Sequence, residues 1–384
     1  MTGHFARPPA GVYSGAMIGG PRAALPDELE AAGLLANEVF YPDGRVSMPS
    51  AFPALFSASN LRNLRVVVDN GAPVAFAGCM VGAVSVNGAS IPTVSIGSVC
   101  TRESHRGMGL AGRVVGDAFD EARRQGAVLA LVSGGRSLYR RMGCIDAGLY
   151  RSIRVDRAAA LPRLDVSVRE WAPTDEMALH ALHHAEAVRH VRDPRAMALS
   201  LRTGLLFCKP GRTWVVSIGG ETRAYLCVTE AGRVVETAGS RVAILGALPA
   251  LFETTGAESL TIDTYAGDTE WESAAAAFRL PMTDAGFHGT VKIIDRAGFF
   301  RAIEPWIVER LGDSERESFS VECSGAVTFR CRRESITIDD DGDLAALVFG
   351  SIERPAPPRG KGELAIILRR LFPMPLPCYG LDYV

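Results

Sequence analysis

Between residues 93 and 133 the chain passes from an apolar strand through a glycine-bearing connection and an amphipathic helix into a second apolar strand. This unit constrains the rest most. The helix expected over 109–125 carries Leu110, Val114, Val115, Ala118, Phe119 and Ala122 on one stripe, with Arg113, Asp117, Asp120 and Arg124 opposite. The strands at 93–100 and 128–133 read as buried, so they belong inside a layered α/β arrangement. Upstream, strands at 64–69 and 74–86 are separated from their successors by Asn70-Gly71 and Asn87-Gly88, which are hairpin turn signals. Leu25-Pro26-Asp27-Glu28 starts a helix whose apolar face is Leu29, Leu34, Leu35, Val39 and Phe40. A short helix is expected over 137–142.

After a linker at 157–166, the same order of strand, connection, helix and strand returns, which suggests a duplicated fold. A helix is expected over 175–189, strands at 214–218, 225–230 and 233–237, a helix over 243–254 and a strand at 260–264. The last part opens with a helix over 299–311. Strands at 319–323, 327–332 and 335–339 and helices over 344–349 and 363–371 then make a small α+β unit. The expected fold class is therefore α+β and α/β, in segments 1–155, 156–295 and 296–384.

Composition removes several partner classes. The chain has 384 residues, enough for two to three domains at roughly 150 residues each. Its formal net charge is -2, and no arginine block stands ready for a phosphate backbone, so no nucleic acid is expected. The longest apolar stretch, Ala72–Val86, is broken by Pro73, Gly78 and Gly82 and is shorter than the roughly 20 residues a membrane span needs. Met1 to Gly11 has no apolar run of the kind a signal peptide carries. Eight cysteines without a C-x-x-C pair or zinc-like spacing fit reduced thiols in the cytoplasm.

The connection itself reads Val99-Cys100-Thr101-Arg102-Glu103-Ser104-His105-Arg106-Gly107-Met108-Gly109-Leu110-Ala111. Its glycines let a ligand approach the backbone, and the helix start offers unpaired N–H groups to an anion. Gly-x-Gly alone also suits an ordinary turn. Arg106-x-x-Gly109-x-Ala111, however, fits the R/Q-x-x-G-x-G/A signature, and the stretch resembles the acyl-CoA loop of the GNAT N-acetyltransferase superfamily. The resemblance implies that Arg106, Gly107, Met108, Gly109, Leu110 and Ala111 cradle the pyrophosphate of acetyl-CoA. It also implies that main-chain groups of Val99, Cys100 and Thr101 bind the pantetheine arm and polarise the thioester carbonyl, with Ser133 in the same cleft.

A second run, Val132-Ser133-Gly134-Gly135-Arg136-Ser137-Leu138-Tyr139-Arg140-Arg141-Met142-Gly143-Cys144, resembles S-E-G-G-x-Y-x-R-x-G-Y of the Eis-like branch of that superfamily. Tyr139 then falls on the tyrosine that protonates the departing CoA thiolate. A phenol of pKa about 10 can serve a thiol of about 8.5 only where the site helps by position and field. Otherwise Tyr139 is a half-buried tyrosine packed on the sheet, and Arg136 is as well explained at the surface. Met142-Gly143-Cys144-Ile145 departs from the branch's Phe-Gly-Tyr-Gly, which alters the wall beside the acceptor.

Eis-like proteins join a GNAT domain, a second GNAT-like domain without a cofactor site and a domain similar to sterol carrier proteins, often as hexamers. The three segments here resemble those parts. The middle turn Thr237-Ala238-Gly239-Ser240-Arg241-Val242-Ala243 lacks the loop signature, so one site per chain is implied, in a homo-oligomer. The resemblance also implies that the α-carboxylate of Val384 reaches the site as base or relay. The apolar tail Pro377-Cys378-Tyr379-Gly380-Leu381-Asp382-Tyr383-Val384 fits a docked end, whether catalytic or only packed. Asp382 is a candidate acid for a cationic acceptor. The expected reaction is direct acetyl transfer from acetyl-CoA to a small-molecule or lysine amine. The other readings are transfer of a longer acyl group, or an acyl-CoA- or lipid-binding protein without transferase activity.

Two weaker patterns stay outside this scheme. His180 and His184 stand at i and i+4, but two histidines lack the third ligand of a metal site, and no metal is expected. The acidic run 339–343 lacks the spacing of a calcium loop and reads as a turn with Asp343 capping a helix.

Overall fold

A computed structural model describes residues 18–354 and 361–384, so the expectation for residues 1–11 lies outside the described residues. The chain begins with β1 (Gly19–Ala23), α1 (Leu29–Phe40), α2 (Met48–Ala51), β2 (Leu64–Asp69), β3 (Ala72–Val86), β4 (Ala89–Thr101), α3 (Leu110–Arg124), β5 (Leu129–Val132) and α4 (Ser137–Arg141). It continues with β6 (Leu149–Asp156), β7 (Ser167–Glu170), α5 (Glu176–Ala185), β8 (Val188–His190), α6 (Pro194–Arg202), β9 (Leu205–Leu206), β10 (Lys209–Ile218), β11 (Glu221–Thr229) and β12 (Arg233–Gly239). Next come α7 (Arg241–Thr255), β13 (Ser259–Tyr265), α8 (Thr269–Ala277), β14 (Met282–Gly286) and β15 (Thr290–Ile293). The last elements are α9 (Arg296–Ala302), α10 (Glu304–Arg310), α11 (Asp313–Ser318), β16 (Phe319–Ser324), β17 (Ala326–Cys331), β18 (Glu334–Ile338), α12 (Asp341–Phe349) and α13 (Glu363–Leu371).

Three sheets result. The first runs β1-β2-β3-β4-β5-β15, with β8 also on β3. The second runs β14-β6-β13-β12-β11-β10-β7, with β9 on β10, and the third is β16-β17-β18. Asn87 and Gly88 both take positive φ (45° and 85°), as the β3–β4 hairpin turn requires. The apolar stripe of α3 is buried against Val94, Ile96, Ala130 and Val132, so the helix covers the strands it connects. That connection makes β4 and β5 parallel, whereas the other pairs of the first sheet are antiparallel.

Sheet membership does not follow the expected boundaries at 155 and 295. β6 pairs with β13 and β14 in the second sheet, although it falls in the first expected segment. β15, from the second, pairs with β5 and supplies the partner that a buried apolar strand needs. The helix expected over 175–189 ends at Ala185, and residues 188–190 instead form β8 on the rim of β3. The helix expected over 299–311 is two helices, α9 and α10, because Pro305 can open a helix but not continue one. The cap of α12 is Asp340, whose carboxylate accepts from the Asp343 N–H, so Asp343 is inside the helix.

Candidate active site

The site begins where β4 and β5 part. Their parallel register runs from Thr93 with Leu129 to Ile96 with Val132, and the Ser133 N–H closes it on the Ile96 carbonyl at 2.9 Å. β5 ends there, while β4 runs on to Thr101 with only β3 beside it. The β3–β4 register shifts between Phe76 and Gly78, and Ser98 takes φ +53°, so a bulge bends β4 away at the parting point. Ser98 Oγ and Thr101 Oγ1 are buried there without a hydrogen-bond partner among the described residues. An extended ligand bearing amides suits such an opening, because it can satisfy the polar groups the missing strand leaves.

At the outer end of the opening, Gly107 (φ +81°) and Gly109 (φ +73°) turn the chain into α3, with Gly109 as its left-handed N-cap. Arg106, Gly107, Met108 and Gly109 are exposed, and the ion pair of Arg106 among the described residues is a long contact of 3.9 Å with Glu103. Leu110, the first residue of α3, is buried and Ala111 is half-buried, so Leu110 can offer a ligand only its main chain. The same holds for Cys100, whose side chain packs beside Phe76 and Val384.

At the inner end, Val99, Ser133, Tyr139 and Val384 line one cavity of about 150 Å³, together with Ser98 and Arg136. Tyr139 on α4 is only 5% exposed, and burial pushes its phenol up to about 12, against a smaller opposing pull from Arg136. It therefore keeps its proton at neutral pH. Burial likewise pushes the thiols of Cys100 and Cys144 up to about 12 and about 11.

The tail reaches this cavity along a groove between the first two sheets. The Tyr150 hydroxyl donates to the Pro377 carbonyl at 2.7 Å, and the Leu381 N–H donates to Glu236 at 2.9 Å. Gly380 takes φ +51° with its Cα against the Glu236 carboxylate, leaving no room for a Cβ. Asp382 pairs with Arg192, the Tyr383 ring packs 4.4 Å from that of Phe207, and Ser133 Oγ donates to the main-chain oxygen of Val384. Arg192 is buried and donates both terminal nitrogens to Glu236 at 2.8 and 2.6 Å, while Tyr225 adds a third donor to that carboxylate. Burial alone would raise the Glu236 carboxyl, but Arg192 outweighs it and holds the group well below the usual range.

Asp382 is thus engaged by Arg192 rather than standing free as an acceptor ligand. Arg192 and Glu236 escaped the sequence reading, as did Ser98 and Phe207. A charged residue between Val234, Val235 and Thr237 was the visible signal for Glu236. His180 and His183 contact the carbonyls of Arg192 and His190 at 2.9 and 2.8 Å, bracing the same region. Among the described residues no group of three His, Cys, Asp or Glu could hold a metal ion, and no helix is long and apolar enough to cross a membrane.

A larger cavity of about 230 Å³ adjoins the first and shares Phe52, Phe207, Cys208, Tyr383 and Val384 with it. Val384 therefore stands between two adjoining cavities, the smaller at the end of the β4–β5 opening and the larger a chamber with room for a second molecule.

Residues 21–145 match the family described as "Acetyltransferase (GNAT) domain". No curated protein matches the chain. Among solved structures, a GCN5-related N-acetyltransferase from Kribbella flavida is similar at 14% identity over 91% of this chain and 95% of that one, with a TM-score of 0.60. Eis1 from Mycobacterium abscessus is similar at 14% identity over 86% and 89%, with a TM-score of 0.57. A probable N-acyltransferase from Enterococcus faecalis follows at 13% over 84% and 82%, with a TM-score of 0.58.

Proposed function

We propose that this chain, an acetyltransferase by its 21–145 domain, moves an acetyl group from acetyl-CoA directly onto a primary amine. The observation that carries the reading is the meeting of Val99, Ser133, Tyr139 and Val384 around one cavity where β4 and β5 part. The loop Arg106–Ala111 and the start of α3 hold the pyrophosphate, and the freed main chain of 99–101 holds the pantetheine arm. The proposal takes Val384 as the terminal residue, so that its main chain ends in a carboxylate that draws a proton from the acceptor ammonium. The amine nitrogen attacks the thioester carbon, and main-chain N–H groups near Val99 stabilise the oxyanion. The C–S bond then breaks, the Tyr139 phenol gives its proton to the departing thiolate, and the phenolate takes back the second proton that the amide nitrogen sheds. Burial raises the thiol of Cys208, the cysteine that lines both cavities, as it does those of Cys100 and Cys144 nearby, which argues against an acyl-cysteine, since that needs a thiolate.

The reading extends to an Eis-like organisation, with a second GNAT-like domain and a sterol-carrier-like C-terminal part in a cytoplasmic homo-oligomer, a hexamer by resemblance. Sedimentation of the purified chain tests the assembly. The reaction is tested by amine-dependent release of CoA thiol from acetyl-CoA across small amines and lysine peptides, in wild type and Tyr139→Phe. Release that needs both the amine and Tyr139 supports the proposal. Tight acetyl-CoA binding with no release for any amine favours the ligand-binding alternative.

A further inference from the structure

The second sheet sends a hairpin tip into the site. β9 and β10 pair Leu206 with Lys209, which leaves Phe207 and Cys208 as a two-residue turn. Both have positive φ, +52° and +58°, the pattern for which such turns favour Asn-Gly. A phenylalanine in this region is strained, and strain of that kind persists where the surroundings or a function require it. Phe207 is half-buried and lines both cavities. Its ring lies 4.4 Å from that of Tyr383, which in turn lies 6.5 Å from Phe52. Three aromatic rings therefore flank the passage between the chamber and the acyl side.

The charges of the chamber are few and already engaged. Among the described residues lining it, the side-chain acids are Asp193 and Asp382. Asp193 caps α6 through the Ala196 N–H at 2.9 Å, and Asp382 is paired with buried Arg192. Much of the remaining wall is apolar, including Leu55, Met80 and Leu205. A single ammonium can be met near the end of Val384, but further ammonium groups would be stripped of water against apolar side chains.

We infer that the acceptor is a monoamine with a flat apolar body, and that Phe207 at the β9–β10 tip selects it. The inference rests on the transfer reading for the identity of the chamber as the acceptor site. Its test separates binding from turnover. Calorimetry with CoA present would compare 2-phenylethylamine, ethylamine and spermidine, alongside CoA release from acetyl-CoA.

The expected result is 2-phenylethylamine binding at least about tenfold tighter than either other amine, with that preference lost in Phe207→Ala. Replacing both tip residues, Phe207→Asn with Cys208→Gly, supplies residues the turn favours and removes the ring. It keeps the test sound where the alanine variant fails to fold, and the same loss of preference is expected. Spermidine binding as tightly as 2-phenylethylamine overturns the inference, as does an undiminished preference in the double replacement. An aryl preference in binding that depends on Phe207, with no release for any amine, keeps this inference and overturns the transfer reading.

Discussion

The main-chain carbonyl of Val384 rests against the Cα of Gly97, so closely that a Cβ there would overlap it and stand 2.6 Å from Ser133 Oγ. The contact occurs one residue past Ile96, where the pairing of β4 with β5 stops. Gly97 is therefore fixed by what lies against it. Gly97→Ala should push the tail end out of the site and lower amine-dependent kcat by about a hundredfold, the scale of a lost acid–base partner. Steady-state kinetics with a direct acetyl-CoA binding measurement would show whether chemistry is lost while the folded protein persists.

Tyr139→Phe should lower kcat by roughly a hundredfold or more with little change in acetyl-CoA binding. The phenol sits at about 12, above its ordinary value, so its protonated form persists below that pH. Activity should show no decline from Tyr139 up to pH 10, where an ordinary tyrosine would be half ionised. A pH–rate profile in wild type, with a parallel tyrosinate absorbance titration of both proteins, checks this.

The tail is held in part by Glu236 of β12, on a different sheet from Ser133. Glu236→Gln would leave buried Arg192 with Asp382 as its remaining carboxylate, so the loss should be about 3 kcal/mol or less, the low end of the cost of unpairing a buried charge. Urea unfolding should show that loss. Activity should fall further than acetyl-CoA binding, because Leu381 loses an ionised acceptor.

Acid should weaken the same region before it protonates Glu236. Burial, with Arg192 adding to it, pushes His183 down to about 4, against the charges of Glu236 and Asp382. A group with a depressed folded pKa contributes stability that is present above its unfolded value and lost as pH falls towards the folded one. For His183 that window runs from about pH 6.5 to about 4, and the loss at pH 5 is about 2 kcal/mol. Buried His190 shifts in the same direction and adds to it. Urea midpoints at pH 7 and pH 5, in wild type and His183→Gln, should differ more in wild type.

Local signals carried much of this architecture. Asn87-Gly88 makes its hairpin, the stripe of α3 is buried as its periodicity demands, and the glycines before α3 take the positive φ values that the turn requires. What stayed hidden depends on distant partners. No strand was expected at 149–156 or 290–293, and β6 and β15 there pair with strands far away in sequence, which no local pattern encodes. Arg192 and Glu236 look like surface charges until the fold encloses them together. Phe207-Cys208 shows no turn signal because its residues are ones that such a turn disfavours.

The central claim is that the end of Val384 takes part in the transfer, and one added residue tests it most directly. Acetyl-CoA binding and amine-dependent CoA release would be measured for the chain ending at Val384 and for one extended by a single glycine. The account predicts unchanged acetyl-CoA binding and release reduced by about a hundredfold. Release at the full rate from the extended chain would contradict it.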